Sequence, residues 1–192
     1  MRKSLASCLS EKNILNKKGK NKENDSSLLP FGETGAISLD PILPRNPTVF
    51  ILGTKPGNLE LRKKEYYANN GNAFWRIIYE LTEEVFIKNY AERIDVLKRN
   101  HIAVWDIVQF GKRISPGAQN VKNVVPNPVN EIIEMFPSVK QIIFNGQKAH
   151  DLYHKHFTEI EGIIYKVVLS TSPANTRFSF REKLNNWKES LL

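Results

Sequence analysis

Apolar residues are arranged along the chain in two alternating ways, as short continuous runs and at helical spacing. Four runs of strand length are bounded by turn or polar residues and predict buried strands at residues 48–52, 102–108, 139–144 and 163–169. The intervening and final segments predict helices at residues 73–81, 90–99, 130–136, 148–156 and about 180–191. Strands that are apolar throughout and separated by helices indicate a mostly parallel sheet covered on both faces. The pattern therefore predicts an α/β fold around four strands.

Each predicted strand is followed by an unusual loop. The four loops span residues 53–72, 106–128, 145–147 and 170–178, and we predict the second to be long, polar and irregular. Ligands of parallel α/β sheets bind beyond the carboxyl ends of the strands, which lie along one edge. We therefore expect the four loops to build a single site.

Charge and composition place a nucleic acid among the expected partners. The 192-residue chain has a formal net charge of +8, of which +6 falls on residues 41–192. A basic folded domain is typical of proteins that meet nucleic acid, although many basic proteins bind none. Residues 1–40 are polar, Lys-rich and aperiodic, so we predict a disordered basic tail before one domain at residues 41–192. The lysines of the tail either hold phosphates, form an address signal or are simply solvated.

Several classes of protein lose support. A single cysteine, Cys8, excludes an internal disulfide and a cluster of thiolate ligands for iron–sulfur or zinc. No apolar run approaches the roughly 20 residues of a membrane helix. The turn Gly53-Thr54-Lys55-Pro56-Gly57 fits neither the P-loop nor the dinucleotide-binding spacing. We expect a monomeric intracellular protein, cytoplasmic, nucleoid-associated or nuclear, with no cofactor and no membrane contact.

Residues 66–75 combine four aromatic residues with three asparagines in a loop that leads into a helix. Phe74 and Trp75 are predicted to pack in the core. Tyr67 could stack on a flat ring, and the amide of Asn72 could both donate to and accept from the edge of a base. This segment indicates a pocket for a nucleobase.

Two further segments suit phosphate groups. The run from Ser170 to Asn175 offers hydroxyl and backbone N–H groups, with Arg177 just beyond, and it equally fits a capped helix start. Asn145 and Gly146 precede a predicted helix, whose first N–H groups and dipole attract anions. His150 and His154 lie one turn apart, but we interpret them as surface residues because no third metal ligand stands out.

Six short motifs in order resemble the uracil-DNA glycosylase superfamily, most closely its hypoxanthine (deoxyinosine) DNA glycosylase branch, from about Ile37 to Leu191. The motifs are residues 51–57, 66–75, 104–107, 123–127, 144–149 and 170–175. The resemblance implies a three-layer α/β/α sandwich with a central four-stranded, mostly parallel sheet. It also implies hydrolysis of the N-glycosidic bond of a base flipped out of double-stranded DNA.

The chain departs from the uracil-removing branches at two places. Lys55 stands where those branches carry an Asp or Asn that positions or activates the attacking water. Ser170 stands where they often carry a catalytic His. The deoxyinosine branch also lacks that carboxylate, and its important amide matches Asn72. These departures favour hypoxanthine over uracil as the excised base.

The resemblance and the loops together assign roles to individual residues. Asn72 positions water or base, and Asp106 either holds the water or accepts backbone N–H bonds in its own turn. Substrate-binding residues are predicted to be Gly53, Thr54, Lys55, Tyr67, Asn145, Ser170, Ser172 and Asn175. Gly146, Arg177 and Phe178 are predicted to contact phosphates or to fill the hole left by the base. A mismatch-specific uracil glycosylase and a non-catalytic DNA-binding relative remain alternatives, and no lyase activity is expected.

Overall fold

The computed structural model describes residues 38–113 and 121–191. Apart from residues 38–40, the predicted tail lies outside this part of the chain. Of these, Ser38 and Leu39 bond to the folded domain. The N–H of Ser38 donates to the Gln109 carbonyl at 2.9 Å, and the indole of Trp105 donates to the Leu39 carbonyl at 3.0 Å.

The described residues form six strands and six helices. The strands are β1 Val49–Gly53, β2 Ile102–Asp106, β3 Val108–Arg113, β4 Val121–Pro126, β5 Gln141–Asn145 and β6 Ile164–Val168. The helices are α1 Asn58–Lys63, α2 Phe74–Thr82, α3 Tyr90–Arg99, α4 Val129–Glu134, α5 Gln147–His156 and α6 Phe180–Leu191. The four predicted apolar runs form one parallel sheet in the order β2-β1-β5-β6, which confirms the predicted fold.

Helices cover both faces of this sheet. On one face, α5 packs against Phe144, whose ring lies 5.2 Å from that of Tyr153. On the other, α2 meets α6 where the rings of Phe74 and Trp187 contact edge to face at 6.0 Å. Successive strand residues point to opposite faces, so Asn145, next to Phe144, lies on the face of α2 and α6. The result is an α/β/α arrangement around a buried core.

The segment 106–128 is not the irregular loop that its polarity predicts. Strands β3 and β4 form a separate antiparallel pair, in which Val108 opposes Pro126 and Arg113 opposes Val121, with two register shifts. An antiparallel ladder needs only one apolar face, so a polar run can form strands without the signal of a buried one. Residues 114–120, between β3 and β4, lie outside the described residues.

Two helices also differ from their predicted bounds. The six-residue α1 was not predicted, because its sequence carries no apolar stripe of helical period; it ends where Lys64 adopts a left-handed conformation (φ 54°). Helix α4 begins at Val129, directly after Pro128, and ends at Glu134, two residues short of the predicted end.

Within the described parts of the chain, no helix is long and apolar enough to cross a membrane.

Candidate active site

The ends of three adjacent strands place Asp106, Gly53 and Asn145 in a row. Gly53 pairs with Asp106, and Ile51 pairs with Ile143, two residues before Gly53 and Asn145 respectively. Side chains of residues in register point to the same face of a parallel sheet, and neighbouring strands lie about 4.8 Å apart. The row therefore presents a carboxyl group and an amide on either side of a residue without a side chain.

Gly53 is needed for this arrangement because its neighbours approach closely. A β-carbon on residue 53 would lie 2.3 Å from Asp106 Oδ1 and 3.6 Å from the hydroxyl of Tyr67. Two oxygens from different loops thus border the space that the glycine leaves. The expectation that the strand-end loops converge is met at this point.

Tyr67 is held in an unusual conformation over the row. Its φ of 53° lies in the left-handed region, which an aromatic residue adopts only where other contacts support it. Its ring stacks on Phe74 with centroids 3.8 Å apart, and its hydroxyl accepts a hydrogen bond from Asn145 Nδ2 at 3.2 Å. Burial, followed by the negative charge of Asp106, raises the pKa of the phenol well above its usual range. Tyr67 is therefore a neutral hydroxyl at all physiological pH values.

The amide of Asn145 is engaged at both ends. Its Oδ1 accepts from the backbone N–H of Thr171 at 2.9 Å, and its Nδ2 donates to Thr171 Oγ1 at 2.9 Å as well as to Tyr67. The carbonyl of Thr171 in turn accepts from the N–H of Ala73 at 3.0 Å. Thr171 is fully buried and ties the loop after β6 to the loops after β1 and β5.

Asn72 is fixed beside this junction. Its Oδ1 accepts from the N–H of Phe74 at 3.0 Å, and its own N–H donates to the Asn69 carbonyl at 2.8 Å. Because a backbone N–H can only donate, it identifies the bonded amide atom as the oxygen. The NH2 group of Asn72 therefore lies at the opposite end of the amide, turned away from the helix.

Asp106 is a buried acid with only 5% of its surface exposed. The N–H groups that follow it donate elsewhere: Ile107 bonds the Gly53 carbonyl at 3.0 Å and Val108 bonds the Thr54 carbonyl at 2.9 Å. The turn after β2 therefore does not use the Asp106 carboxylate as the acceptor for these groups.

Near neutral pH, Asp106 is present in both its neutral and its ionised form. Burial raises the pKa of its carboxyl to about 7; the negative charge of Glu60 adds to the rise, and the positive charge of Lys55 opposes it. A carboxyl with such a pKa can take up or release a proton under physiological conditions.

The loop after β6 is organised by its own side chains. Ser170 Oγ accepts from the Ser172 N–H at 3.3 Å, and Asn175 Nδ2 donates to the Ser170 carbonyl at 3.1 Å. The ammonium of Lys183, from α6, lies 3.4 Å from the Ser172 carbonyl, and burial lowers its pKa. A positive charge thus supports the loop that was predicted to hold phosphates.

Gly146 and Ser170 meet at the start of α5. Gly146 has a φ of 99°, and a β-carbon there would lie 2.8 Å from Ser170 Cβ. Its N–H donates to the Phe144 carbonyl at 2.8 Å, so it is not one of the unpaired N–H groups expected for a phosphate. Arg177 and Phe178 contact each other, with the guanidinium 5.5 Å from the ring centroid.

No group of three or more His, Cys, Asp and Glu side chains that could hold a metal ion occurs among residues 38–113 and 121–191. His150 and His154 have ring centroids 4.2 Å apart, and each pairs with a carboxylate at 3.0 Å, from Asp151 and Glu159 respectively. A groove of about 850 Å³ lies away from the row, lined by residues 38–43 and by parts of α1, α3 and the loop between α1 and α2. None of the predicted site residues lines this groove.

Sequence reasoning did not single out four residues that shape the site. Thr171 lay within the run from Ser170 to Asn175, from which only Ser170, Ser172 and Asn175 were predicted to bind substrate, and Lys183 lies beyond that run on α6. Glu60 lies on the unpredicted α1. Asn127, which is buried, donates from Nδ2 to the Asp106 carbonyl at 2.8 Å and to Ser38 Oγ at 2.9 Å. Asn127 is the last residue of the motif at residues 123–127, but no role was predicted for it.

Comparison with known proteins identifies the family of the chain. The family model described as the Uracil DNA glycosylase superfamily matches residues 41–191. A protein of Methanosarcina barkeri named hypoxanthine DNA glycosylase is 33% identical over 150 residues, 78% of this chain and 93% of the relative. A protein of Methanosarcina acetivorans with the same name is 32% identical over 148 residues, 77% of this chain and 92% of the relative.

A solved structure supports the same assignment. It is the solution NMR structure of a protein from Methanosarcina acetivorans, provisionally described as a uracil DNA glycosylase. The match has a TM-score of 0.67 and 30% sequence identity, and it covers 83% of this chain and 100% of the other. The chain therefore belongs to the uracil DNA glycosylase superfamily.

Proposed function

We propose that this DNA glycosylase is monofunctional and removes hypoxanthine from deoxyinosine in double-stranded DNA. The names of the two Methanosarcina relatives support this substrate. Lys55 and Ser170 also support it. In the uracil-removing branches that the chain resembles, an Asp or Asn stands at the position of Lys55, and a His often stands at the position of Ser170.

The observation that carries the proposal is the buried carboxyl of Asp106, whose pKa the charge of Lys55 lowers. Asp106 is a buried acid with a pKa near 7, at the end of β2, and the charge of Lys55 acts on it from the turn after β1. In this interpretation the carboxylate that activates the attacking water belongs to Asp106 on β2. The turn after β1 contributes the positive charge of Lys55 in place of a carboxylate.

The reaction replaces the bond between the base and C1′ of the sugar with a bond to a water oxygen. The duplex first releases the base into the pocket, at a cost of a few kcal/mol that is lowest for a mispaired base. As the N-glycosidic bond breaks, the base leaves with the bonding electrons and positive charge develops on the sugar. Ionised Asp106 accepts a proton from the attacking water, and the NH2 end of Asn72 positions the water or the base.

Contacts to the DNA backbone come from the other loops. The hydroxyls of Ser170 and Ser172 lie in a loop backed by the charge of Lys183, which suits a phosphate. The start of α5 offers its dipole to a second phosphate. Arg177 and Phe178 form the wedge that occupies the space vacated by the base.

The decisive experiment compares duplexes that contain a single inosine or a single uracil. Purified protein is expected to produce alkali-labile sites in the inosine duplex at a higher single-turnover rate than in the uracil duplex. Faster cleavage of uracil would reassign the protein to mismatch-specific uracil excision, and no cleavage of either would favour a non-catalytic DNA-binding relative. Strand cleavage without alkali, or trapping of a covalent adduct by borohydride, would contradict the monofunctional assignment.

A further inference from the structure

The hydrogen bonds of Asn145 impose a direction on the hydroxyl of Tyr67. The backbone N–H of Thr171 is an obligatory donor, so the Asn145 amide atom that meets it at 2.9 Å must be the oxygen. The NH2 group therefore faces the Tyr67 hydroxyl, and the phenol oxygen accepts at 3.2 Å. The O–H of a phenol lies in the plane of its ring, so a phenol oxygen that accepts on one side of its C–O bond keeps its own proton on the other side.

The free side of this hydroxyl borders the space over the strand ends. The phenol oxygen lies 3.6 Å from the place that a β-carbon of residue 53 would occupy, and Gly53 leaves that place open. Stacking of Tyr67 on Phe74 at 3.8 Å prevents the ring from turning away. The hydroxyl is thus a fixed donor whose orientation three loops determine.

Deamination changes the very property that such a donor can detect. It converts an exocyclic amino group, which donates hydrogen bonds, into a carbonyl, which accepts them: adenine becomes hypoxanthine and cytosine becomes uracil. A fixed O–H donor bonds the carbonyl and opposes the amino group, because two donors cannot bond each other. Sites built to hydrogen-bond a substrate group reject analogues that leave the site unpaired.

We infer that the Tyr67 hydroxyl, oriented by Asn145, recognises the carbonyl that deamination creates and thereby excludes undamaged adenine. This inference rests on the proposed function and deepens it. Tyr67 is then a specificity-determining residue through its hydroxyl. Asn145, predicted to bind substrate directly, is a positioning residue that acts through Tyr67.

The test compares DNA containing deoxyinosine with DNA containing deoxynebularine, a purine with hydrogen in place of the C6 oxygen. Tyr67→Phe is expected to lower kcat/KM about 10- to 100-fold on inosine, the usual effect of losing one recognition hydrogen bond. On nebularine, which offers no carbonyl, it is expected to change kcat/KM by less than about threefold. Equal losses on both substrates would mean that the hydroxyl only maintains the fold, and would overturn the inference.

Asn145→Asp tests whether the direction of the Tyr67 O–H matters apart from the shape of the side chain at residue 145. The carboxylate keeps the shape of the amide and can still accept from Thr171, but towards Tyr67 it can only accept. The phenol proton then turns towards residue 145, so this variant is expected to show the same loss of inosine preference as Tyr67→Phe. A retained preference for inosine over nebularine would overturn the role assigned to Asn145.

Tyr66→Phe is the matched control. Tyr66 precedes Tyr67 in the same loop, but its hydroxyl donates to the Leu39 carbonyl at 3.2 Å. Its loss is expected to affect inosine and nebularine equally. A shift of inosine preference as large as that of Tyr67→Phe would contradict a specific role for Tyr67.

Failure of the substrate assignment is distinguishable from failure of this inference. If the wild-type protein cleaves uracil and not inosine, the proposed substrate is wrong, and the donor is tested on uracil against zebularine, which lacks the C4 oxygen. A Tyr67→Phe effect confined to uracil would then still support the donor. Cleavage of no deaminated base would overturn both proposals.

Discussion

Gly53 and Asp106 lie so close together that a β-carbon on residue 53 would be 2.3 Å from Asp106 Oδ1. Real β-carbons do not approach an oxygen this closely, so Gly53→Ala must displace a buried carboxyl. We expect a destabilisation of about 1–3 kcal/mol and a large loss of cleavage, because Asp106 and Tyr67 share the space. Chemical denaturation and single-turnover assays measure the two effects.

Gly57→Ala is the control for this substitution. Its β-carbon would lie 2.4 Å from Glu60 Oε2, which is the end of a flexible, partly exposed side chain. That carboxylate can swing aside, so the stability is expected to change by less than about 1 kcal/mol. Equal losses for the two alanine variants would show that crowding at Asp106 has no special role.

Asp106 gives the protein opposite pH dependences of activity and stability. As a base it works when ionised, so kcat is expected to rise as the pH increases through about 7 and then to level off. Because burial raises its pKa in the folded state, the folded protein holds a proton that the unfolded chain has released. Stability is therefore highest at low pH with respect to this group and declines between about pH 4 and pH 7.

Asp106→Asn tests both halves of that statement. The neutral amide cannot accept the proton of water, so cleavage is expected to fall below detection at every pH. The burial cost of the carboxylate also disappears, so at pH 8 the variant is expected to be roughly 2–4 kcal/mol more stable than the wild type. Retained cleavage would remove Asp106 from the mechanism, and unchanged stability would show that its carboxylate is solvated.

Much of the fold can be predicted from the sequence, because parallel strands buried on both faces must be apolar throughout. Residues 49–53 and 141–145 form strands for that reason, and the site residues at their ends follow from the rule for parallel sheets. The strands β3 and β4 were missed because an antiparallel pair needs only one apolar face, and the short helix α1 was missed because none of its six residues is buried.

The contacts within the candidate site are harder to predict, because the partners of each side chain depend on loop geometry. The loop segments could be predicted to converge, but no sequence pattern indicates that Asn145 would bond Tyr67 and Thr171 instead of facing the ligand. The charge on Asp106 likewise depends on Glu60, which α1 brings close. A buried threonine within a run of small polar residues carries no signal of its own.

Lys55 and Glu60 are expected to shift the pH profile in opposite directions. Lys55 lowers the pKa of Asp106 and Glu60 raises it, so Lys55→Met moves the rising limb of kcat to higher pH and Glu60→Gln moves it to lower pH. Each profile is measured in single turnover with saturating enzyme, which removes effects on DNA affinity. Shifts in the same direction would mean that another group titrates.

The amide oxygen of Asn72 accepts from the Phe74 N–H, and its NH2 group is proposed to position the water or the base. Two substitutions separate these roles. Asn72→Ala loses the bond to the Phe74 N–H and is expected to cost about 1 kcal/mol of stability as well as cleavage. Asn72→Asp keeps an acceptor for that N–H but has no NH2 group, so it is expected to fold normally and still lose cleavage of inosine. Normal activity of either variant would remove Asn72 from the proposed mechanism.

The guanidinium of Arg177 lies 5.5 Å from the ring centroid of Phe178. We expect the two side chains to act at different steps. An apolar wedge matters only where a base must leave a stack, so Phe178→Ala is expected to slow cleavage of inosine paired with cytosine about tenfold while sparing single-stranded inosine. Arg177→Ala removes a charge, and the slope of log affinity against log salt is expected to decrease by about one, on all DNA sequences.

The control for both wedge variants is Lys188→Ala, an exposed cation in the last turn of α6. It removes the same charge as Arg177→Ala from the end of the helix remote from the loop after β6. Its salt slope is expected to equal that of the wild type. If Lys188→Ala changes the slope as much as Arg177→Ala does, the DNA follows α6 rather than the loop, and if Phe178→Ala slows single-stranded and paired inosine equally, Phe178 is not the wedge.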